Sequence, residues 1–523
     1  MKRRRKITLT ITLAGGIVAF SLSFAACASH APVTYPGSAT LLPGTAPEMT
    51  TAGYWIGRNE SVDESILDPQ GIADFNQSLR EKKLVRDLPR WEIPSPLELR
   101  KSLEDTVAWI ASLKVYDEEG HRVSEKFLSP IRDLMAIDEV GDETAPLPAQ
   151  YCFTVDKTEL RVLPTNEPLY DAPYDPYIDN LQASSLEAGT AVVITHKSRD
   201  GAWLYGTTSR ASGWIPATSV AFASSRDEFI ERLERPRFFT VIETKADLYA
   251  DAARTVFVRS IRMGSRLATP DPTPLSEANQ EAFPTMPAEA YPDALPTMPA
   301  TASATAPAEA SSISPSTAYP AAIPVTLTIR AADGSLAETI LWVASDDVTE
   351  GFLPCTARTV YEQAFKLLNA PYGWGGTFGE QDCSQFLCEI FDTTGITLPR
   401  NSTKQAKAGP LIPGIAGADD AQKAEILISL AKPAATLLRF PGHIMLYLGS
   451  VDGKPYAIHA TFGYREHIRG KDRVRLINRV VVSNLELGNG SEKGTHLSRL
   501  TDAVLIAPDK PTPEPSPEPE PVQ

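Results

Sequence analysis

From about Thr269 to Pro324 the chain has a composition that no folded core can use. Proline, alanine and threonine dominate, and PTMPAEA (Pro284 to Ala290) returns as PTMPATA (Pro296 to Ala302). Such a segment cannot bury enough apolar surface to offset its ordering entropy, and it reads as a flexible insertion, 269–324. What folds must be built from the residues on either side. The short β-rich runs of RFFTVIETKADLYADAARTVFVRSIRMGSRL stop at the insertion and resume beyond it in VTLTIRAADGSLAETILWVAS, with a turn at Asp333-Gly334. One small β-domain over 236–350, split by a surface insertion, is the economical reading; the alternative makes the insertion a linker between two domains. At 523 residues the chain is too long for one ordinary core, and about three or four domains are expected.

The remaining segments differ in texture. The N-terminus, MKRRRKITLTITLAGGIVAFSLSFAACASH, has a basic start, an apolar run and small residues, the pattern of an export signal over 1–27. Cys27 follows Phe24-Ala25-Ala26, which resembles a bacterial lipobox with phenylalanine where an aliphatic residue is usual. A lipidated Cys27 and a periplasmic, membrane-anchored product are expected. Plain secretion or an uncleaved anchor helix is the alternative, and each puts the remainder outside the cytoplasm. Residues 48–145 read as a mostly helical N-terminal region: SILDPQGIADFNQSLRE has Ser and Asp near a helix start and apolar residues at helical intervals. In 146–225, AGTAVVITHKSRDGAWLYGTTSRASGWIPATSVAFA runs strand, Asp200-Gly201 turn, strand, turn, strand, and resembles a bacterial SH3-like domain. The split β-domain is expected to be a second one. The end, 508–523, reads as a disordered Pro/Glu tail. With 50 basic against 65 acidic side chains the net charge is −15, which argues against a nucleic-acid surface.

The chemistry is sought in 355–507, where the pattern becomes α+β. The five cysteines, Cys27, Cys152, Cys355, Cys383 and Cys388, fit no disulfide framework. No paired C-x-x-C or H-E-x-x-H array suggests zinc, and no cofactor or metal is expected. Cys383 stands just before the helical pattern of Phe386, Leu387, Ile390 and Phe391. There the unpaired N–H groups of a helix N-terminus stabilise a thiolate, so an exposed thiol of lowered pKa is expected. Cys388 falls on the helix body and reads as an inert small hydrophobe. A thiolate needs a base. His443 opens a strand of alternating pattern and would share a face with Met445 and Tyr447. His459 lies on the next strand, where hairpin pairing would bring it beside His443 to orient the imidazole. His30, His121, His196, His467 and His496 have no comparable frame and read as solvated or structural.

Taken together, PYGWGG, DCSQFLC, LPRNS, GHIMLYLG and IHA closely resemble, in order and spacing, the NlpC-type family of papain-like cell-wall cysteine peptidases. The resemblance implies a C-terminal α+β papain-like peptidase domain behind two small all-β SH3-like barrels and a helical N-terminal region. It implies hydrolysis of the γ-D-glutamyl–diamino acid bond of peptidoglycan stem peptides or released muropeptides. Motif by motif, it makes Cys383 the nucleophile, His443 the base, His459 the orienting residue and Tyr372 a support for the tetrahedral intermediate. Asp382 and Ser384 would hold the substrate's free amino terminus, with Arg400 and Ser402 lining the same region. Asn401 stands where an aspartate is common. In relatives the first SH3-like barrel can wall off the cleft, which implies a preference for a free N-terminal L-Ala; Trp203 and Tyr205 are candidate wall residues. The competing readings are an amidase or acyltransferase using the same triad, and a non-catalytic peptidoglycan-binding lipoprotein. The sequence is silent on oligomeric state.

Overall fold

The computed structural model describes residues 36–141, 143–270 and 321–506. The export signal with Cys27, most of the insertion and the C-terminal tail lie outside the described residues.

Helices come first: α1 (Ala52–Ile56), α2 (Pro69–Glu81), α3 (Pro96–Ser112) and α4 (Glu125–Leu134). Asp68 starts α2 by accepting the Gly71 N–H at 2.7 Å, and Pro69 occupies the first turn, where no N–H is needed. Ser95 and Glu98 form a reciprocal capping box at α3. These helices are shared between two cores. Phe75 and Leu79 of α2 are fully buried among Val360, Tyr361 and Phe391 of the C-terminal part. Leu99, Leu103 and Ile110 of α3 pack instead with Leu128, Trp203 and Trp214.

The first sheet is antiparallel: β1 (Gln150–Thr154), β2 (Thr158–Arg161), β3 (Gln182–Leu186), β4 (Ala191–Lys197), β5 (Trp203–Thr207), β6 (Ser212–Pro216) and β7 (Val220–Phe222), in spatial order β3-β2-β6-β5-β4-β1-β7. Helix α5 (Arg226–Leu233) leads to a second sheet. It contains β8 (Phe238–Val241), β9 (Lys245–Tyr249), β10 (Phe257–Arg262), β11 (Arg266–Ala268), β12 (Ala322–Arg330), β13 (Leu336–Ala344) and β14 (Val348–Glu350). Its order is β10-β9-β13-β12-β11-β8-β14. Counted from its own first strand, the second sheet has the same order as the first, so both are SH3-like. The strands flanking the insertion, β11 and β12, pair directly through Ala268 and Thr326. The insertion therefore occupies the place that the Asp200-Gly201 turn holds between β4 and β5.

The C-terminal part sets α6 (Ala357–Lys366), α7 (Cys383–Asp392), α8 (Ser402–Gln405) and α9 (Asp420–Leu430) with a five-stranded antiparallel sheet. Its strands are β15 (Thr436–Phe440), β16 (His443–Val451), β17 (Lys454–Ile468), β18 (Lys471–Asn484) and β19 (Asp502–Leu505), with α10 (His496–Arg499) between the last two. Strand alternation divides the sheet into two faces. Ile444, Leu446, Ile458, Ala460, Val480 and Val482 pack on α6 and α7, whereas Met445, Tyr447 and Ala457 pack with Leu427 of α9 and Leu497 of α10. The three parts are stapled by ion pairs. Arg262 of β10 reaches Glu187 after β3 at 2.6 Å and Glu389 of α7 at 3.2 Å, and Arg210 donates to Asp392 of α7 at 2.9 Å.

Candidate active site

Cys383 is the first residue of α7, and Asp382 is its cap. Asp382 Oδ1 accepts the N–H groups of Ser384 (3.0 Å) and Gln385 (2.8 Å), leaving that of Cys383 outside the cap. It also takes the Ser384 hydroxyl at 2.9 Å and Arg400 Nη1 at 3.0 Å. Oδ2 accepts Arg400 Nη2 at 2.7 Å and the Gly375 N–H at 3.2 Å. Burial works to raise the Asp382 pKa, but the Arg400 guanidinium overrides it and holds the carboxyl below its usual range. A carboxylate offers about four lone-pair sites, so this one is saturated. Asp382 and Arg400, expected to hold substrate, hold each other; Ser384, buried between them, belongs to the same network. Ser402 lies apart, half-buried at the start of α8. Asn401 caps that helix by accepting the Thr403 N–H at 2.8 Å, a task an aspartate would perform equally.

The expectation of an exposed, acidified thiol is corrected. Cys383 is only 7% exposed, and burial, then the Asp382 charge, pushes its thiol up to about 12, outweighing the Ile444 N–H and Arg400, which act to lower it. The helix N-terminus does not prevail because the Asp382 carboxylate already occupies it. Burial and the Asp382 charge thus favour the neutral thiol at Cys383.

The Ile444 N–H on the sulfur ties the nucleophile helix to the start of β16, whose first residue is His443. His443 Nε2 lies 2.8 Å from His459 Nδ1. The register Leu446↔Ile458, continued along the strands, sets His459 opposite Met445, so the two imidazoles are diagonal neighbours on one face. Burial, then the positive Arg499, takes His443 down to about 3, with Asp382 pulling the other way. Burial and the neighbouring His443 and His496 hold His459 well below its ordinary value. Tyr372 stands close enough for the Cys383 and Asp382 charges to add to burial in raising its pKa well above the usual value, so its hydroxyl keeps its proton.

The first SH3-like domain reaches this site through residues other than those expected. Trp203 and Tyr205 pack into the core shared with α3. Contact is made instead by Ser184, whose Oγ accepts Arg400 Nε at 2.9 Å, by the Asp179 carbonyl, which accepts Trp374 Nε1 at 2.9 Å, and by Gln182, which donates to the Gly375 carbonyl at 3.3 Å. Tyr177 packs 5.2 Å from Phe462, and Phe462 6.5 Å from Tyr372. The Gly-Gly pair serves this contact: both glycines have positive φ, and a Cβ would lie 2.6 Å from the Gln182 carbonyl at Gly375 and 2.1 Å from Ser185 Oγ at Gly376.

Two participants escaped the sequence reading. His496, on α10, is 3% exposed, with its ring 6.0 Å from His443 and 5.7 Å from His459. No local signal marks it, because its position depends on the path of the loop after β18. Ser483 accepts or donates a hydrogen bond at 2.9 Å with His459 Nε2. A lone serine in the apolar run VVVSN was the available signal, since a buried hydroxyl needs a partner.

A nucleophile at a helix start, a paired imidazole on the adjacent strand and an SH3-like domain against both can be compared with known proteins. Residues 369–469 match the NlpC/P60 family, and residues 168–216 match the SH3 domain of SH3b1 type. Over those residues the C-terminal domain is similar to the NlpC/P60 family. That family is one of cysteine peptidases. Over 95 residues this chain is 33% identical to the gamma-D-glutamyl-L-lysine dipeptidyl-peptidase of Bacillus subtilis (strain 168). The match takes in 18% of this chain and spans 30% of that relative's length. An NlpC/P60 endopeptidase from Photobacterium damselae subsp. piscicida, 18% identical, superposes with a TM-score of 0.66 over 91% of this chain and 100% of its own. That likeness establishes a shared multidomain fold.

Proposed function

We propose that the chain is a cysteine peptidase that hydrolyses the γ-D-glutamyl–diamino acid bond of peptidoglycan stem peptides and prefers those with a free N-terminal L-Ala. The observation that carries it is the 2.8 Å contact between His443 Nε2 and His459 Nδ1 beside the Cys383 helix start. With Nε2 engaged, Nδ1 is the His443 nitrogen left to take the thiol proton. The sulfur attacks the amide carbon, and the negative oxygen that forms would be held by the Cys383 N–H and the protonated Tyr372 hydroxyl. The imidazolium then gives its proton to the leaving amine, and water hydrolyses the thioester with His443 as base again. The relative in Bacillus subtilis, named for the γ-D-glutamyl-L-lysine linkage, supports this bond class. Export and lipidation at Cys27, read from the N-terminal residues, would bring the enzyme to its substrate. Incubating the protein with defined stem peptides and with intact sacculi, and identifying products by mass, tests the reading. Release of acyl chains, or no cleavage of any stem peptide, would overturn it.

A neutral thiol and a neutral imidazole have a consequence for pH. Protonating His443 removes the base, and because burial takes its pKa down to about 3, the loss falls well below the ordinary histidine range. Between about pH 4.5 and 7.5, kcat/KM for a stem peptide should be flat, without an inflection near 6.5. An acid limb centred there would show that His443 is solvated when it works.

The preference for a free N-terminus is assigned to closure by the first SH3-like domain, since Asp382 is already paired. Its contacts through Asp179, Gln182 and Ser184, and the tilted ring contacts of Tyr177 and Tyr372 with Phe462, support a cleft bounded at that end. N-acetylation of the stem peptide, which adds bulk there, should lower kcat/KM roughly tenfold or more, through kcat as well as KM. Equal values for both peptides would mean that the enzyme acts on wall-attached stems.

A further inference from the structure

We propose that Ser483 is a positioning residue that selects the working tautomer of both imidazoles, an inference that rests on His443 being the base. The side chains of His443, His459 and Ser483 follow one another across β16, β17 and β18. Ala457 pairs with Ser483 and His459 with Val481, so Ser483 is diagonal to His459 just as His459 is to His443. The two links measure 2.8 Å and 2.9 Å, and His459 and Ser483 are fully buried.

Each neutral imidazole has one N–H and one bare nitrogen. To receive the thiol proton on Nδ1, His443 must carry its own proton on Nε2 and donate it to His459 Nδ1. That nitrogen must then be bare, which puts the His459 proton on Nε2, facing Ser483 Oγ. Among the described residues Ser483 is the only hydrogen-bond partner of His459 Nε2. Around the pair, Phe440 lies 5.2 Å from the His443 ring, His496, whose buried Nδ1 has no partner among the described residues, lies 5.7 Å from the His459 ring, and Arg499 covers the Phe440 ring at 4.0 Å. Without the hydroxyl, the working arrangement leaves an N–H buried and unpaired. The reversed arrangement, in which His443 presents an N–H to the cysteine, then competes, and it cannot accept the thiol proton. The serine oxygen also receives part of the positive charge that spreads along the chain when His443 becomes an imidazolium.

The test uses the full chain, labelled with ¹⁵N-histidine, in wild type and in Ser483→Ala, Ser483→Cys and Ser483→Thr. Imidazole nitrogen shifts report the tautomers, and stem-peptide hydrolysis gives kcat and KM. In the wild type both His443 and His459 should be protonated on Nε2. Ser483→Ala should shift His459 away from that form and lower kcat roughly tenfold, the effect of one buried unpaired donor, with KM unchanged. Ser483→Thr, which keeps the hydroxyl, should restore the tautomer and most of the rate. If the alanine variant does not fold, Ser483→Cys, nearly the same size and a poor acceptor, carries the same expectation. In a His459→Asn background, Ser483→Ala should cause no further loss. A wild-type kcat and unaltered tautomers in the alanine and cysteine variants, or the same loss in the His459→Asn background, would overturn the role. Failure of the peptidase reading looks different: the wild type would then cleave no stem peptide, or Cys383→Ala would cleave as fast as the wild type, whereas failure of this inference leaves the wild type active, Cys383→Ala inactive and Ser483→Ala fully active.

Discussion

Replacing Cys383 with alanine is expected to lower stem-peptide hydrolysis by about 10⁴-fold or more, because it removes the atom that forms the covalent intermediate. The fold should survive. The change deletes one sulfur at a position packed with Phe386 and Leu387, and Asp382 continues to cap the Ser384 and Gln385 N–H groups. Alkylation separates the four described thiols. Cys383 is 7% exposed against 3% for Cys355 and 0% for Cys152 and Cys388, and all four are raised in pKa by burial, so access rather than acidity sets the order. A mapped iodoacetamide time course should label Cys383 first. Full turnover by the alanine variant would end the thiol-peptidase reading.

His443→Ala should be nearly as damaging as loss of the nucleophile, since triad members act as a unit and the buried, neutral thiol of Cys383 cannot ionise unaided. His459→Asn should be milder by roughly tenfold or more, because a side-chain amide oxygen can still accept from His443 Nε2. The variants are compared by kcat/KM together with thermal unfolding, which separates loss of chemistry from loss of packing at these buried rings. Equal inactivity of the two, in folded proteins, would show that His459 does more than orient the base.

Much of this site was legible because its elements are local. Phe386, Leu387, Ile390 and Phe391 at helical intervals mark α7, and Asp382 before Cys383 is a cap that can be read without a structure. Alternation in GHIMLYLG likewise puts His443, Met445 and Tyr447 on one face of β16. The electrostatic state of the cysteine was not legible. A helix start alone argues for a lowered pKa, but the sign depends on how deeply the thiol is buried and on where the Asp382 charge lies.

Sequence alone determined the kinds of element and the two β-rich segments around a Pro/Ala-rich insertion, because these rest on periodicity and composition, and its short motifs singled out Cys383, His443 and His459 as the candidate residues. Tertiary structure alone decided the partners. Arg400 lies 18 residues from Asp382, and only folding makes the pair, which puts a guanidinium on the carboxylate that was expected to meet the substrate's amino terminus. The helices of 48–145 read as one region, yet α2 packs under the nucleophile helix and α3 on the first SH3-like sheet, because an amphipathic face does not specify which apolar surface will cover it. The same holds for Ser483 and His496. One joins the imidazoles through strand register and the other through a loop, and register and loop path are set by the packing of the whole sheet.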